Sequence, residues 1–506
     1  MSTTDGSTTG SEVAAGTAAH IGTQADTRGE TSPNPSPNPS PTPSPTPSPT
    51  PSPTPSPNAQ RDALRATQAS THRIIVVGGG AGGLELVTRL GDKLGKRGQA
   101  QVVLVDRSPT HIWKPLLHEV AAGSMDPNTH QLEYVAQARW HHFEFQQGEL
   151  TGVDRARKVI QVAACVDLDG TELLPARELP YDTLVLAIGC VTHFFNVPGA
   201  AEHAIALDTV EQAERFRRKL IAACVRAQNG RGRTGEDGRP RVDVAIIGAG
   251  ATGVELSAEL RNTAHVLNAY GLHQLDPRRD VRIHVIEAGP RILPALSERV
   301  SAETTKLLRK LDVDVLTAER VTQVTDDAVL TASDKRIDAD LTVWAAGITA
   351  PGVLRTLGLP VSKQGQIVVG PTLQTEADPD IFAFGDCASC PWPEKQTAVP
   401  PRAQAAHQQA TFLYDAIRAR MDGKPLPKFG FKDFGSLVSL GHFSAVGSLM
   451  GGLIGGSMFI EGLMARFMYT SLYRMHVLAL HGAIGMGLDT VTHWLRSKTS
   501  PRVKLH

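Results

Sequence analysis

Cysteine is scarce in this chain, with five residues among 506. So few thiols cannot staple a fold of this length, so a disulfide scaffold is excluded and a reducing compartment is the simpler reading. An excess of either charge is also missing: 51 Lys and Arg stand against 51 Asp and Glu. That balance gives no global pull toward nucleic acid, and no nucleic-acid partner is expected. Residues Met1 to Gly29 lack the apolar stretch of a secretory signal, and Asp5, Glu12, Asp26 and Glu30 against Arg28 disfavour a mitochondrial transit peptide. What the chain does have is 41% hydrophobic residues, which supports a large core and excludes global disorder. At about 150 residues per domain, roughly three domains are expected.

Proline is abundant but unevenly placed. Thirteen of the 34 prolines occupy alternate positions from Pro33 to Pro57, separated by Ser, Thr or Asn. Such a tract cannot join a sheet or continue a helix, and it has no apolar side chains to bury. Residues 1–71 are therefore expected to be a disordered tail with an extended, polyproline-like spacer, and the folded protein to begin near Thr71.

The first folded segment carries a dinucleotide-binding pattern. Arg73 to Gly78 reads as a buried parallel strand, Gly78-x-Gly80-x-x-Gly83 follows, and Leu84 to Leu94 continues as a helix. A strand, a glycine turn and a helix in this order present backbone N–H groups and a helix N-terminus to a pyrophosphate. The next strand, Gln101 to Val105, ends at Asp106, where a carboxylate can accept from ribose hydroxyls. The pattern then recurs: Val242 to Gly248, Gly248-x-Gly250-x-x-Gly253, a helix from Val254 to Val266, and a strand from Val281 to Ile286 ending at Glu287. The wider spacing implies a longer helix or loop around Ala269 to Asp280. One glycine fingerprint is a weak signal; two in matching contexts are much stronger. Glu287 repels the extra phosphate of NADP, which favours NAD, although Arg291 lies four residues on.

Two further apolar strands, Asp182 to Gly189 and Asp340 to Gly347, end in Ala-x-Gly, where small residues let a chain pass close to a cofactor. Asp380 to Asp386 adds a strand, Gly385 and a terminal carboxylate. This order resembles the two-dinucleotide-binding-domain flavoproteins. The resemblance implies an α/β fold with two Rossmann-like domains: an FAD-binding domain over 72–205 and 341–430, split by an inserted NADH-binding domain over 206–340. It further implies that Asp106 binds the adenosine ribose of FAD and Asp386 its ribityl chain. Dithiol members carry a Cys-x4-Cys pair soon after the first fingerprint, whereas no cysteine here precedes Cys165. Cys387-x-x-Cys390 reads as a redox dithiol, half a zinc site or two small packing residues. With no second ligand pair, packing is favoured and no metal site is expected.

One segment discriminates within that group. Pro400 and Pro401 suit a helix start, and Gln404 and Gln408, four apart, share one helix face. Two amides on one face can hydrogen-bond quinone carbonyls, or can form a solvated stripe. Ala403 to Gln408 resembles the Ala-Gln-x-Ala-x-Gln quinone-site motif of type II, non-proton-pumping NADH:quinone oxidoreductases. Thr252 to Glu255 resembles the NADH-site motif of that family, with Glu255 near the nicotinamide. Trp113 to Ala121, including Lys114, resembles its FAD-covering loop. Ala465 to His481 and Pro501 to His506 look like its enterobacterial-type subfamily, so the resemblance spans Arg73 to His506.

The resemblance implies a flavoenzyme of the respiratory chain that carries two electrons from NADH through FAD to a membrane quinone. The expected catalytic residues are Glu255, Gln404 and Gln408. The expected cofactor-binding residues are Gly78, Gly80, Gly83, Asp106, Lys114, Gly385 and Asp386 for FAD, and Gly248, Gly250, Gly253, Glu287 and Gly347 for NADH. A sulfide:quinone oxidoreductase using Cys190 and Cys387 is the runner-up. A slow flavin redox sensor and a soluble reductase of a protein partner remain open.

A quinone reductase must reach a membrane. Gly435 to Ile460 has no charged residue, but twelve of its 26 positions are Gly or Ser, which favours strands and turns over a spanning helix. The expected anchor lies in the C-terminal region, 431–506, where Gly462 to Leu495 reads as two amphipathic helices broken near Gly482. One stripe is Met464, Met468, Leu472 and Met475; the other is Ile484, Leu488, Val491 and Leu495. Arg466, Thr470, Arg474 and His481 lie largely between the apolar positions. Six Lys or Arg against one acidic residue from Gly462 onward add attraction to anionic lipid, at about 1 kcal/mol each. The expected partners are thus membrane quinone and a lipid surface, with a homodimer left open. The expected location is the cytoplasmic face of a bacterial inner membrane, peripherally bound.

Overall fold

The computed structural model describes residues 71–167 and 169–440, the strands at 444–451 and 456–461, and, between 471 and 492, all but 472, 481, 483, 484, 488 and 489. The expected proline-rich tail lies outside the described residues. So do Met464, Leu472, Met468, Ile484, Leu488 and Leu495 of the two expected apolar stripes, together with Arg466, Thr470 and His481.

The described residues open with β1 (His72–Val77), pass the first glycine turn into α1 (Ala81–Lys93), and return as β2 (Ala100–Asp106). Then come α2 (Leu117–Ala122) and β3 (Glu144–Gln147). After a small antiparallel sheet formed by Leu150–Asp154, Val159–Val162 and Arg177–Pro180, β4 (Thr183–Leu186) re-enters the main sheet. A second sheet is then built from β5 (Ala204–Ala206), β6 (Pro240–Ile247), β7 (Val281–Ile286), β8 (Val313–Leu316) and β9 (Leu341–Trp344). Its helices include α3 (Val210–Gln228), between β5 and β6, and α4 (Ala251–Ala269), between β6 and β7. The chain returns to the first sheet with β10 (Gln374–Thr375) and β11 (Asp378–Ala383), and closes it with α5 (Ala403–Met421).

The strand order of the first sheet is β10-β11-β4-β1-β2-β3, parallel except for the edge strand β10. Val76 of β1 sits between Leu104 of β2 and Val185 of β4. Ile74, Ile75 and Val76 are all fully buried, because layers cover both faces of a parallel sheet. That is why β1 reads as a continuous apolar run instead of an alternating one. The second sheet runs β5-β9-β6-β7-β8, all parallel, with Arg233–Thr234 added antiparallel on β6.

The second sheet corrects two boundaries read from the sequence. Leu341–Trp344 pairs with both β5 and β6, so the return crossing follows Trp344 and not residue 340. Ala204–Ala206 pairs with β9, so the outward crossing falls before 206. A parallel strand is completed by neighbours far away in sequence, which an apolar run by itself does not reveal.

The uncharged segment after α5 forms an antiparallel sheet: β12 (Gly435–Leu440), β13 (Ser444–Gly451) and β14 (Gly456–Glu461). The described residues of this segment are thus strands and not a spanning helix. Val438 and Leu440 of β12 enter the core beneath α4. Residues 473–480 are helical, with His476, Val477 and Leu480 buried and Met475 and Leu478 exposed. Gly482, where a break was expected, has φ +69°. Among the described residues, no helix is long and apolar enough to cross a membrane.

Candidate functional site

The two glycine turns share one construction. Gly78 has φ +103° and Gly248 has φ +99°, a region that L side chains rarely adopt. A Cβ on Gly83 would overlap the Gly78 carbonyl, and one on Gly253 would overlap the Gly248 carbonyl, so each helix is packed hard against its own turn. The middle glycines differ. Gly80 (φ −61°) and Gly250 (φ −72°) have ordinary backbone, and no protein atom lies within 4 Å of where their Cβ would be. Neither caps its helix with a side chain, so the first-turn amides of α1 and α4 keep their donors for a ligand. A pyrophosphate fits both cradles by this test.

A carboxylate braces each turn. Asp106 accepts from the Gly79 amide (2.6 Å) and the Ser108 amide (2.8 Å). Glu287 accepts from the Ala249 amide (2.9 Å) and the Gly289 amide (2.7 Å). Burial pushes the Asp106 carboxyl above its ordinary range, and those amides oppose the shift.

One cavity of about 1770 Å³ runs past the first turn, the second turn and α5. Gly78, Gly80, Gly83, Asp106, Lys114, Gly385 and Asp386 line it, as do Gly250, Glu255, Gln404 and Gln408. Gly248, Gly253, Glu287 and Gly347 are not part of its wall. Gly347 (φ +68°) instead faces the ring of Phe195, which occupies the space a Cβ would need.

At the first turn's end of the cavity, Lys114 Nζ donates to the Cys190 carbonyl (3.1 Å) and faces Asp208 at 3.5 Å. The Gly385 amide donates to Gln409 Oε1 (2.8 Å), which fixes the turn that carries Asp386. Asp386 accepts from the Cys190 thiol (3.1 Å), and burial pushes its carboxyl up. Burial, followed by the Asp386 charge, pushes the Cys190 thiol well up. Cys387 and Cys390 are buried, and burial raises their thiols to about 12 and about 11. Cys387 and Cys390 are thus buried packing residues, not ready thiolates. No group of side chains among the described residues could hold a metal ion.

Glu255 lies in the second turn of α4 and is 6% exposed. Its Oε1 accepts from the Ser439 amide of β12 at 3.0 Å. His118 Nδ1 is 3.6 Å from Glu255 Oε2, but it donates to the Pro115 carbonyl at 2.9 Å. Burial pushes His118 down to about 4, which favours its neutral form beside Glu255.

Gln404 and Gln408 share a face of α5, as their spacing predicts, but that face is occupied. Gln404 Nε2 donates to Asp433 Oδ1 (3.2 Å) and the Gly435 carbonyl (2.8 Å), and its Oε1 accepts from the Phe434 amide (3.1 Å). Gln408 exchanges two bonds with the Lys432 backbone, at 2.8 and 3.0 Å. The two amides strap 432–435 along α5 and so shape the cavity wall. Among the described residues both Gln404 donors are engaged, whereas one Gln408 N–H has no partner.

Two constellations were not legible in the sequence. His111 Nδ1 donates to the Gly79 carbonyl (2.9 Å), which also accepts from Tyr134 (2.7 Å). Burial holds His111 at about 4, so its Nε2 accepts from His476 Nε2 at 3.0 Å. The Trp113 ring lies 4.2 Å from that of His476. The first turn is thereby tied to the helix at 473–480. The second constellation is His407 with Glu85, 2.7 Å apart across α5 and α1. An acidic residue on the packed face of α1 was the available signal for it.

The profile of the pyridine nucleotide-disulphide oxidoreductase family matches residues 72–410. A type II NADH:quinone oxidoreductase of Haemophilus influenzae is 42% identical over 443 residues, covering 86% of this chain and 99% of that one. One from Mycobacterium tuberculosis is 28% identical over 397 residues, covering 75% and 80%. Among solved structures, NDH2 from Plasmodium falciparum in complex with NADH is similar with a TM-score of 0.71 at 19% identity, covering 86% of this chain and all of that one. The sulfide:quinone oxidoreductase of Aquifex aeolicus shares the fold at a lower TM-score of 0.63 and 17% identity, over 85% and 96%.

Proposed function

Since the chain belongs to the pyridine nucleotide-disulphide oxidoreductase family and, within it, to the type II NADH:quinone oxidoreductases, we propose how its own residues divide that work. The protein is an FAD-dependent oxidoreductase that passes two electrons from NADH to a quinone. When bound, FAD supplies the hydride-accepting chemistry, and the protein supplies binding, orientation and electrostatics.

The single observation that carries the reading is the shared cavity. One wall is the first glycine turn, another holds Gly250 and Glu255, and a third holds Gln404 and Gln408. In the proposed map, the amides of the Gly78-x-Gly80-x-x-Gly83 turn and the N-terminus of α1 hold the FAD pyrophosphate. Asp106 and Asp386 meet its ribose and ribityl hydroxyls, and Lys114 closes over it. The Gly248-x-Gly250-x-x-Gly253 turn and Glu287 hold NADH, with Gly347 keeping the backbone behind that site close. Glu255 fixes the nicotinamide end. Gln408 offers its remaining N–H to a quinone carbonyl, and Gln404 positions the wall on which the quinone rests. The first sheet is thus assigned to FAD and the second to NADH.

A lipid surface at the cavity mouth is part of the same proposal. Phe434 (58% exposed) and Met475 (47% exposed) both line the cavity, and the basic C-terminus adds charge attraction to anionic lipid. Peripheral binding on the cytoplasmic side would place the NADH cradle in the compartment that supplies NADH. One copy of the chain builds the cavity, so a homodimer would serve the membrane footing and not the chemistry.

The test is NADH oxidation by the FAD-loaded chain with and without a short-chain quinone. Quinone-dependent NADH loss is expected. An equal rate without quinone overturns the reading.

A further inference from the structure

The first glycine turn is held by side chains from well outside it. The Gly79 amide donates to Asp106 Oδ2 at 2.6 Å. The Gly79 carbonyl accepts twice, from the Tyr134 hydroxyl at 2.7 Å and from His111 Nδ1 at 2.9 Å. A Cβ on Gly79 would overlap that hydroxyl, so the tyrosine lies hard against the turn. A trans peptide is planar, and its C=O and N–H point to opposite sides. Two donors on the Gly79 carbonyl therefore aim the Gly80 N–H away from His111 and Tyr134. Gly80 is the residue with open space beside it, and its N–H has no hydrogen-bond partner among the described residues.

His111 is set in turn by the helix at 473–480. Both His111 and His476 are buried, and burial pushes His111 down to about 4, which favours its neutral form. With Nδ1–H given to Gly79, the other nitrogen of a neutral ring is an acceptor, so His476 Nε2 supplies the hydrogen at 3.0 Å. The bond at one nitrogen of an imidazole decides which nitrogen carries the proton. A donor at His476 thus keeps the His111 proton on the side of Gly79.

The same His476 ring lies 4.2 Å from the Trp113 ring, and Trp113 directly precedes Lys114 of the loop assigned to cover FAD. His111, Trp113 and His476 all line the cavity. One side chain of the helix therefore reaches both the turn and the covering loop. Val477 and Leu480 are buried on the seated face, and Leu480 joins the core of the first sheet. Arg474, Met475 and Leu478 are exposed, so the helix is a surface element seated by one face.

Resting on the assignment of the first turn to FAD, we propose that the helix at 473–480 is a latch on the FAD site, with His476 as its positioning residue. His476 fixes the His111 tautomer, and His111 aims the Gly80 N–H at the FAD pyrophosphate. FAD leaves readily only when the helix lifts. Coupling of this kind is reciprocal, so bound FAD also holds the helix down.

A helix that merely covers the core would be seated in the same way, so the test separates the two roles. The full-length chain in detergent is loaded with FAD, and release into FAD-free buffer is followed by flavin fluorescence. His476→Phe keeps a ring against Trp113 but removes the donor and leaves a buried His111 nitrogen without one. It should release FAD about tenfold faster. His476→Gln, which restores a donor, should stay within about threefold of the wild type, and Leu478→Ala on the exposed face should match it. The phosphorus NMR resonances of bound FAD should shift in His476→Phe and not in His476→Gln. In the unaltered chain, FAD loading should slow amide hydrogen exchange at 473–480, a readout that stands even where His476→Phe fails to fold. Unchanged release and resonances in His476→Phe would overturn the proposal, as would a glutamine variant that behaves like phenylalanine or exchange at 473–480 that ignores FAD. Retention of FAD by Gly80→Val would instead sink the assignment of the turn on which the proposal rests.

Discussion

The Ser439 amide donates to the Glu255 carboxylate at 3.0 Å, so the end of β12 is fastened to α4. The opposite end of that segment is fastened to α5 by Gln404 and Gln408. A single strand thus connects the residue assigned to the nicotinamide with the pair assigned to the quinone. Each change along that connection should affect one half-reaction more than the other.

Glu255→Ala should retain FAD and slow flavin reduction by NADH about tenfold or more, because misplacing a bound reactant by an ångström has costs of that order or above. The Ser439 amide also loses its acceptor, so stability should fall by about 1–3 kcal/mol. Rapid-reaction flavin absorbance and a urea midpoint measure the two effects separately. Loss of FAD from this variant would contradict the site map.

Gln404→Ala removes three hydrogen bonds to 433–435. Quinone KM should rise with NADH-driven flavin reduction unchanged, and the urea midpoint should drop by an amount equivalent to about 1–3 kcal/mol. Gln408→Ala, with two bonds to Lys432, should cost less stability. Steady-state kinetics with quinone varied at saturating NADH provides the check.

The glycines of each turn should divide by position. Gly83→Ala should fail to fold or lose stability severely, since its Cβ would overlap the Gly78 carbonyl. Gly80→Val should fold and lose FAD, because its side chain would enter open cradle space. Gly250→Val should keep FAD and lose NADH. Flavin content and NADH titration of the three variants provide the readout.

Acid should destabilise the fold. His111 and His118 are each held at about 4 by burial, below the ordinary 6.5. Between those values the unfolded chain binds more protons than the folded one. The stability these two histidines contribute therefore falls with decreasing pH, by about 1.4 kcal/mol per unit for each, and is fully present above 6.5, while His284 and His407, shifted upward, act in the opposite sense. Urea midpoints from pH 7 to pH 5 should show the decline, with a shallower slope for His118→Asn.

Much of this architecture was legible because the relevant residues act through rules local in sequence. Gly78 and Gly83 are demanded by a turn and by a helix pressed on it. Asp106 and Glu287 mark strand ends next to those turns. Spacing placed Gln404 and Gln408 on one face, and Gly and Ser between short apolar runs signalled the strands after Gly435. What spacing does not encode is the partner. The helix face was visible, but not that 432–435 would cover it. His111 and His476 are 365 positions apart, and Glu85 and His407 are 322 apart, so only the closed fold brings each pair together. The domain crossing was misplaced by a few residues for the same reason, as β9 acquires its role from β5 and β6.

The most direct test of the central claim is anaerobic flavin absorbance of the FAD-loaded chain in detergent. NADH is added first and a short-chain quinone second, with parallel samples receiving NADPH or sulfide. The account predicts bleaching by NADH, little by NADPH, none by sulfide, and rapid recovery on quinone. Bleaching by sulfide would move the chemistry to the cysteines. A flavin that NADH bleaches and quinone does not restore would contradict the assignment of the acceptor.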